Sequence, residues 1–323
     1  MFETINLEEF KGIRKCEKPI NLSRFTLLMG TNNSGKSSIL ESLFLFPIPW
    51  PNYFIPLLSG NIHKLEIFRY LHKSEESLIY RYSGSSTVYC KIEGKLFELR
   101  ILEKGKKFEL VTEKGILVDI HGIATILGKD TSELLSYVAF IPNNDDFRKK
   151  LADSLIDHWT EIEKTGAHVK LIKQFILKTI EDKFTELTVR FNEIVLRKEL
   201  PEDVAYIRLS DIGDGIKRFL ISALWIEAFK PKVVLWDDLE ASAHPSLIKS
   251  IIEWLINHDW QVIASTHSID VLHEFVEAEP KEAKIVQLRK SPDDILPYKE
   301  ITIEDLEDLF NSGQDVRKLF RWK

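Results

Sequence analysis

The sequence predicts an α/β protein with a mostly parallel sheet flanked by helices, an antiparallel β subdomain and a helical insertion. Three observations lead to this expectation. A short apolar segment runs into a glycine-rich loop and a helix near residues 25–46, strands alternate with amphipathic helices over residues 204–288, and short β-rich segments fill residues 78–120. Alternation of strand and helix favours a parallel sheet, because parallel neighbours need a crossover between them.

Composition narrows the class of protein. Of the 323 residues, 44% are hydrophobic and 11% aromatic, which is enough for a substantial core. The net charge of −6 provides no overall positive field for nucleic acid, although a local basic groove stays open. Cys16 and Cys90 indicate neither a disulfide framework nor a zinc site. No signal sequence is visible, and prolines interrupt the most apolar run, so we expect a cytoplasmic protein without a membrane span.

The N-terminal residues 1–24 predict two strands joined by a turn, and Phe25–Met29 predicts a short buried strand. The loop after it fits the pattern G-x-x-x-x-G-K-[ST], and a helix is expected from Ser37 until Pro47. Such a loop turns its N–H groups inward around an anion, and the helix N-terminus adds positive potential. The candidate phosphate-binding residues are Gly30, Asn32, Asn33, Ser34, Gly35, Lys36, Ser37 and Ser38.

Two of these residues have a more specific expected role. Lys36 can reach the outer phosphates of a nucleotide, and the Ser37 hydroxyl can ligate Mg²⁺. Lys11 and Arg14 lie near enough in sequence to the strand before the loop to be further candidates for nucleotide contact. The expected ligands of this loop are therefore the phosphates of a nucleotide and Mg²⁺.

The middle of the chain predicts a different architecture. Ile62 to Leu71 is expected to be a helix. The β-rich segments 77–82, 87–92, 95–102 and 107–112 are separated by turn glycines, which predicts an antiparallel meander. Residues 137–141 predict another buried strand. Residues 147 to about 197 predict a helical arm, without the sustained heptads of a coiled coil.

The C-terminal part returns to strand–helix alternation. Gly213 and Gly215 precede apolar residues repeating with a helical period, so we expect these glycines at a helix N-terminus. A buried strand over 233–236, a helix over 246–258 and a strand over 261–264 follow. One more strand and short helices are expected over 284–323.

Polar residues follow two of these strands at the point where each ends. Asp237 follows the strand 233–236, where a carboxylate suits Mg²⁺, usually through water. Asp238 is placed to orient or activate the attacking water, and His267 lies past the next strand, within expected reach of a γ-phosphate. Ligands bind beyond the carboxyl ends of parallel strands. We therefore expect catalytic roles for Asp238 and His267, together with Lys36.

Taken together, five segments resemble the motifs of ABC-type ATPases, in the style of the SMC–RecF–OLD branch rather than of membrane transporters. In chain order they resemble the Walker A motif, signature, Walker B motif, D-loop and switch histidine, at residues 30–37, 209–217, 233–238, 241–245 and 265–267. The resemblance implies a core of residues 1–46 and 204–323. It also implies an insertion of residues 47–203, containing the meander (about 78–120) and the helical arm (about 147–197).

The resemblance further implies a dimer on ATP binding. Two heads would hold two ATP molecules, with the P-loop of one head facing the signature of the other. Ser210, Gly213 and Gly215 would contact the γ-phosphate in trans, and Asp211 is the alternative to Ser210 in the serine position.

Two departures from the family pattern concern the site. The family usually has Glu where this chain has Asp238, one methylene shorter, so slow hydrolysis is expected. No glutamine precedes Gln174, so Asn143, Asn144 or Asp145 would replace the Q-loop glutamine, and Asn143 is the expected metal ligand.

Two functions follow from these expectations. The first is a Mg²⁺-dependent ATPase whose dimerisation operates a separately encoded effector, a nuclease or toxin in a defence or DNA-repair setting. The alternative is a nucleotide-gated binding module that holds ATP with negligible turnover and grips nucleic acid or protein. A small-molecule kinase is disfavoured, because it would need neither the signature glycines nor His267.

Overall fold

A computed structural model describes residues 1–176, 182–313 and 316 of the chain. Among these residues, the sheet that carries the site consists of β4 (Phe25–Met29), β9 (Val138–Ile141), β13 (Val233–Trp236), β14 (Gln261–Thr266), β15 (Ala283–Leu288) and β17 (Tyr298–Ile301). Its order is β17-β15-β4-β14-β13-β9, and every neighbouring pair is parallel except β15 with β17. The predicted mostly parallel sheet is confirmed.

The central strands are mostly apolar because both faces of the sheet are covered. All residues of β4, β9, β13 and β14 are buried, as expected for parallel strands between layers of helices. The helix α1 (Lys36–Phe44) lies against β9, β13 and β14. The other helices are α2 (Lys64–Leu71), α3 (Ile120–Leu127), α4 (Thr131–Leu135), α5 (Asp145–Asp157), α6 (Trp159–Thr165), α7 (Ala167–Leu171), α8 (Asp214–Phe229), α9 (Pro245–Ile256), α10 (Ile269–Ala278) and α11 (Ile303–Asn311).

A second sheet combines the N-terminal strands with the meander. Its strands are β1 (Phe2–Phe10), β2 (Ile13–Cys16), β3 (Ile20–Asn21), β5 (Ser86–Ile92), β6 (Lys95–Leu102), β7 (Lys107–Thr112), β8 (Gly115–Leu117) and β16 (Ile295–Leu296). The order is β16-β2-β1-β5-β6-β7-β8, with β3 also on β1. The meander is therefore an extension of the N-terminal hairpin, because β5 pairs with β1.

The prediction of a strand over 77–82 is wrong. Residues Glu75–Leu78 and Tyr80–Tyr82 form short 3₁₀ turns. Arg81 and Tyr82 have φ values of 52° and 59°, which interrupt an extended backbone despite the β-prone composition.

The prediction of a helical arm to residue 197 is wrong in its second half. The helices α5, α6 and α7 continue into a π-helical turn, Ile172–Ile176, and residues 177–181 lie outside the described residues. The strands β10 (Phe184–Arg190), β11 (Glu193–Glu199) and β12 (Val204–Arg208) form an antiparallel sheet. Phe191 and Asn192 both have positive φ, as required by a two-residue hairpin turn, and the pair lacks the glycine that usually marks such a turn in a sequence.

The predicted division of the chain stays a prediction, and the sheet crosses it. The strand β9 lies in the proposed insertion yet pairs with β13 at the edge of the central sheet. The helix predicted over 62–71 is present as α2, and the C-terminal part contains β15, β16 and β17 rather than one strand. Cys16 and Cys90 are free and buried. None of the helices in the described ranges combines the length and apolar character needed to cross a bilayer.

Candidate functional site

Four adjacent parallel strands end at one edge of the central sheet, and a candidate residue follows each. β4 leads into the glycine loop, β14 into His267, β13 into Asp237 and β9 into Asn143. Trp236 at the end of β13 pairs with Ala264 of β14 on one side and with β9 on the other. Because neighbouring strands lie about 4.8 Å apart, these residues converge although they are distant in sequence.

The glycine loop has the geometry of an anion cradle. α1 begins at Lys36, and its N-cap, Gly35, has φ of 97° with no side-chain cap, so the first N–H groups of the helix are free of such a cap. The Ser34 hydroxyl is buried and has no hydrogen-bond partner in the described part of the chain. A side chain at Gly30 would place its Cβ 2.5 Å from Leu288 O and from Ser34 Oγ. Free donors around a tight loop fit the phosphates of a nucleotide.

Lys36 is buried at this loop. Its Nζ donates hydrogen bonds to Gly30 O at 2.9 Å and to Thr31 O at 3.1 Å. Burial lowers the pKa of Lys36, while the negative charges of Asp238 and Asp237 act in the opposite direction. A partly desolvated ammonium at the loop adds to the preference of its N–H groups for a polyanion.

Ser37 and Asp237 meet beside the loop. Ser37 Oγ donates to Asp237 Oδ1 at 3.1 Å, and Ser265 Oγ donates to the same oxygen at 2.6 Å. Burial raises the pKa of Asp237, the hydrogen bonds from Ser265 and Ser37 lower it, and the charge of Asp238 raises it again. A hydroxyl and a buried carboxylate in contact form an oxygen donor set that fits Mg²⁺.

Asp238 is oriented by a chain of polar contacts. Asn143 Nδ2 donates to Asp238 Oδ2 at 3.0 Å. The buried Arg218 donates to Asn143 Oδ1 and, at 3.1 Å, to the carbonyl oxygen of Asp237. The amide oxygen of Asn143, the atom that would ligate a metal, therefore accepts from a guanidinium. These contacts support an orienting role for Asn143 more directly than the predicted role as metal ligand.

The other two candidates for the missing glutamine serve α5. Asn144 accepts a hydrogen bond from Phe147 N at 2.8 Å as the cap of that helix. Asp145 pairs with Arg148. Among these three candidates, Asn143 is thus the residue that contacts a carboxylate of the site.

His267 lies over the same carboxylates. Its Nδ1 is 2.8 Å from Glu240 Oε1 and 3.5 Å from Asp238 Oδ1, and its side chain is 54% exposed. Asp238 has φ of 48°, in the left-handed region that non-glycine residues rarely adopt. Strained backbone of this kind occurs at functional sites, where surrounding contacts hold it in place.

The signature segment places its residues at different depths. Ser210 and Asp211 are exposed, and Ser210 Oγ donates to Asp211 Oδ1 at 3.2 Å. Gly213 is the exposed N-cap of α8 and has no side-chain cap, as the predicted helix start requires. Gly215 is buried, and a Cβ there would lie 2.2 Å from Ser242 O. The structure therefore gives Gly215 a packing reason in its own chain.

Lys11 and Arg14, the further candidates for nucleotide contact, both lie in the N-terminal part of the second sheet. Lys11 Nζ lies 2.6 Å from Glu41 Oε2 on α1 and 2.8 Å from His72 Nε2. Arg14 is exposed on β2. The described contacts of Lys11 thus hold the N-terminal sheet to α1, and a role of either residue in nucleotide contact stays a prediction.

Sequence reasoning missed three residues of the site, Arg218, Glu240 and Ser265. Arg218 directly follows Lys217, just before the apolar run of α8 that begins at Phe219, so no local pattern distinguishes it from that lysine. Ser265 lies in a fully buried strand and accepts from Asp238 N at 2.8 Å. For Glu240, the sequence contained no signal of a role in the site beyond its proximity to Asp237.

A glycine loop with its helix, strand-end carboxylates and a histidine on a parallel sheet define an ABC-type P-loop ATPase, as predicted. The chain belongs to the family described as "AAA domain, putative AbiEii toxin, Type IV TA system", whose model matches residues 25–272. Its structure is similar to that of the "SmcHead bound to the C-winged helix domain of ScpA", with a TM-score of 0.63 and 15% sequence identity. The similarity covers 95% of this chain and 99% of that one. The SMC head domain from Thermotoga maritima gives a TM-score of 0.55 at 13% identity, over 93% of this chain and 99% of that one. The fold is that of SMC heads.

Curated relatives are uncharacterized proteins of Methanocaldococcus jannaschii. MJECL10 is 50% identical over 46 residues, which is 14% of this chain and 20% of the length of that protein. MJECL11 is 30% identical over 114 residues, which is 33% of this chain and 99% of that protein. The chain thus matches one relative over a fifth of its length and the other over nearly all of it.

Proposed function

We propose that this chain is a Mg²⁺-dependent ATPase that dimerises head-to-tail around two ATP molecules and controls a separately encoded effector protein in the cytoplasm. The observation that carries the proposal is the 3.1 Å contact of Ser37 Oγ with Asp237 Oδ1. It joins the phosphate loop to a strand-end carboxylate, with Asp238 and His267 beside them.

Each residue has a distinct task in this reaction. The loop N–H groups and Lys36 bind the phosphates, and Mg²⁺, held by Ser37 and Asp237 when bound, would neutralise charge on the phosphate oxygens. Asp238 accepts a proton from the water that attacks the γ-phosphorus, the bond from that phosphorus to the bridging oxygen breaks, and ADP and phosphate result. Asn143 fixes Asp238 Oδ2 for this task. The short Asp side chain makes slow hydrolysis the expected outcome.

The dimer is supported by the exposed signature. Gly213 begins α8 without a side-chain cap, and Ser210 is exposed close by. Uncapped N–H groups at a helix start favour an anion, which the γ-phosphate bound to a second copy would supply. Gly215 contributes its backbone there, although its lack of a Cβ also serves packing.

An effector is supported by the relatives. The family description names a toxin–antitoxin system, and one SMC head of the same fold was solved bound to a domain of ScpA. We therefore propose a protein effector of nuclease or toxin class, in a defence or DNA-repair setting, with nucleic acid as a further candidate partner.

Phosphate release and light scattering with ATP and Mg²⁺ test the proposal. Wild type should release phosphate slowly and shift from monomer to dimer, and Lys36→Ala should abolish both because the loop loses its cation. Asp238→Ala should abolish release while retaining the dimer. Asp259→Ala serves as matched control, because its carboxylate is fully exposed beside Arg24. Failure of wild type to bind ATP would contradict the proposal.

One observation favours the second candidate, a nucleotide-gated binding module. Asp238 Oδ2 accepts a hydrogen bond from Asn143 at 3.0 Å, and Asp238 Oδ1 lies 3.5 Å from His267 Nδ1. The carboxylate is therefore restrained, and its side chain is short. A release rate at background, unchanged in Asp238→Ala while ATP still drives dimerisation, would favour the module over the ATPase. The gripped partner would then be nucleic acid or protein.

A further inference from the structure

Glu240 holds His267 at two points. Its Oε1 accepts a hydrogen bond from His267 N at 2.7 Å and lies 2.8 Å from Nδ1 of the same residue. The carboxylate is 10% exposed. Its second oxygen, Oε2, is buried with no hydrogen-bond partner in the described residues. A largely desolvated carboxylate is costly to keep, so its contacts to His267 call for an explanation.

We propose that Glu240 is a positioning residue that fixes the ring of His267 with Nδ1 protonated toward the protein and Nε2 free toward the nucleotide. This inference rests on the proposed ATPase function. Donation from Nδ1 to a carboxylate selects one tautomer of a histidine and leaves the other ring nitrogen to act.

Glu240 is better placed for this role than Asp238. The Nδ1 of His267 is 2.8 Å from Glu240 Oε1 but 3.5 Å from Asp238 Oδ1, beyond ordinary hydrogen-bond length. Asp238 is held elsewhere, because its Oδ2 accepts from Asn143. Glu240 thus supplies the reach that the shorter Asp238 lacks.

The two-point contact also limits rotation of an exposed ring. The side chain of His267 is 54% exposed, so little packing holds it. An exposed side chain loses rotamer entropy when it is ordered for reaction. Glu240 also accepts from the backbone N–H of His267, so its carboxylate holds the ring in place before the reaction. This reduces the rotamer entropy that His267 loses at the moment of reaction.

A direct test is the protonation of His267 in protein labelled with ¹⁵N-histidine, recorded at about pH 8.5, where an ordinary imidazole is neutral. His273 lies in α10 and stacks on Phe310 of α11, and it provides an internal reference. In wild type, Nδ1 of His267 should carry the proton. In Glu240→Ala this preference should be lost, and in Glu240→Gln it should persist, since the amide oxygen still accepts.

Hydrolysis provides a second readout. Glu240→Ala should lower kcat about 10-fold while the affinity for a non-hydrolysable ATP analogue changes less than about 2-fold, and Glu240→Gln should recover most of kcat. An unchanged His267 tautomer in Glu240→Ala, or equal defects in the Ala and Gln variants, would overturn the positioning role. If wild type fails to hydrolyse ATP, the proposed function fails, yet the tautomer measurement still decides this inference.

An ion is the main competitor for the same atoms. Asp238, Glu240 and His267 offer ligand atoms that all lie within 4.8 Å of one another. A histidine nitrogen must be unprotonated to bind a metal. Loss of the Nδ1 proton on titration of the protein with Zn²⁺ or Mn²⁺ alone would assign the cluster to an ion and overturn the proposal, whereas an unchanged proton would support it.

Discussion

Ser37 Oγ donates a hydrogen bond to Asp237 Oδ1 over 3.1 Å, although the two residues are 200 positions apart in the chain. Ser37 lies in the first turn of α1, and Asp237 directly follows β13. The contact spans β14, the strand that separates β4 from β13 in the central sheet. Contacts of this kind, between residues distant in the chain, determine what substitutions at the site should do.

Asp237→Asn should stabilise the protein in the absence of metal and nucleotide. Burial raises the pKa of Asp237, so the charged form of this carboxylate destabilises the fold. The gain should disappear as pH falls through the raised pKa, and the amide oxygen can still accept from Ser37 and Ser265. We expect Tm to rise by about 2 °C in EDTA.

The same variant should bind ATP with its dependence on Mg²⁺ largely lost. Titrations of nucleotide with and without Mg²⁺ measure this loss. Asp259→Asn, at a fully exposed position, should change neither Tm nor binding. A less stable Asp237→Asn that kept the Mg²⁺ dependence would contradict the assignment of Asp237.

Arg218→Lys should slow hydrolysis without weakening nucleotide binding. The guanidinium contacts both Asn143 Oδ1 and Asp237 O, and an ammonium cannot span two acceptors with the same planar geometry. Asn143 would then hold Asp238 less firmly, so we expect kcat to fall about 10-fold.

Steady-state phosphate release, together with affinity for a non-hydrolysable analogue, measures the Arg218 effect. Arg208→Lys is the control, because Arg208 pairs with Glu193 and both side chains are largely exposed. Equal kcat in wild type and Arg218→Lys would show that the contact has no part in turnover.

Gly215→Ala should destabilise the protein considerably more than Gly213→Ala. A Cβ at position 215 would lie 2.2 Å from the backbone oxygen of Ser242, whereas at position 213 the described residues beyond its own helix and chain neighbours leave 4 Å of open space. Overpacking costs about 1–3 kcal/mol, so Tm of Gly215→Ala should fall by about 2–6 °C. Thermal unfolding of the two variants measures the difference, and equal Tm values would disprove the close approach of the D-loop.

Lys64→Met should stabilise the protein most at low and neutral pH. Lys64 is buried, and its Nζ donates to Phe46 O at 2.7 Å. Burial lowers the pKa of Lys64 from 10.5 to about 7. The unfolded chain keeps this proton up to a higher pH than the folded protein does. The destabilisation by Lys64 is therefore complete below pH 7 and fades as the pH approaches the pKa of a free lysine.

Urea unfolding at a series of pH values measures the Lys64 effect. After allowance for the lost hydrogen bond, we expect a gain on the order of 2 kcal/mol at pH 6 that shrinks toward pH 10. The exposed Lys281→Met is the control and should show no such trend. A gain independent of pH would mean that the charge of Lys64 is not what destabilises the fold.

Local patterns in the sequence were sufficient for the glycine loop, for the buried strands around it and for the helix that Gly213 begins. Each depends on residues within a few positions of one another, and the covalent chain keeps them together. The same local reading failed for residues 184–197, because the hairpin depends on positive φ at Phe191 and Asn192 rather than on charge pattern.

By itself, the sequence determined which residues form the phosphate loop and which acids follow buried strands, because strand, turn and helix preferences act over short stretches of chain. Only the tertiary structure decided that Arg218 reaches Asn143, that Glu240 holds His267, and that Lys11 pairs with Glu41. These contacts join polar atoms on different elements. Their partners are selected by the order and register of strands in the folded sheet, which no local pattern specifies.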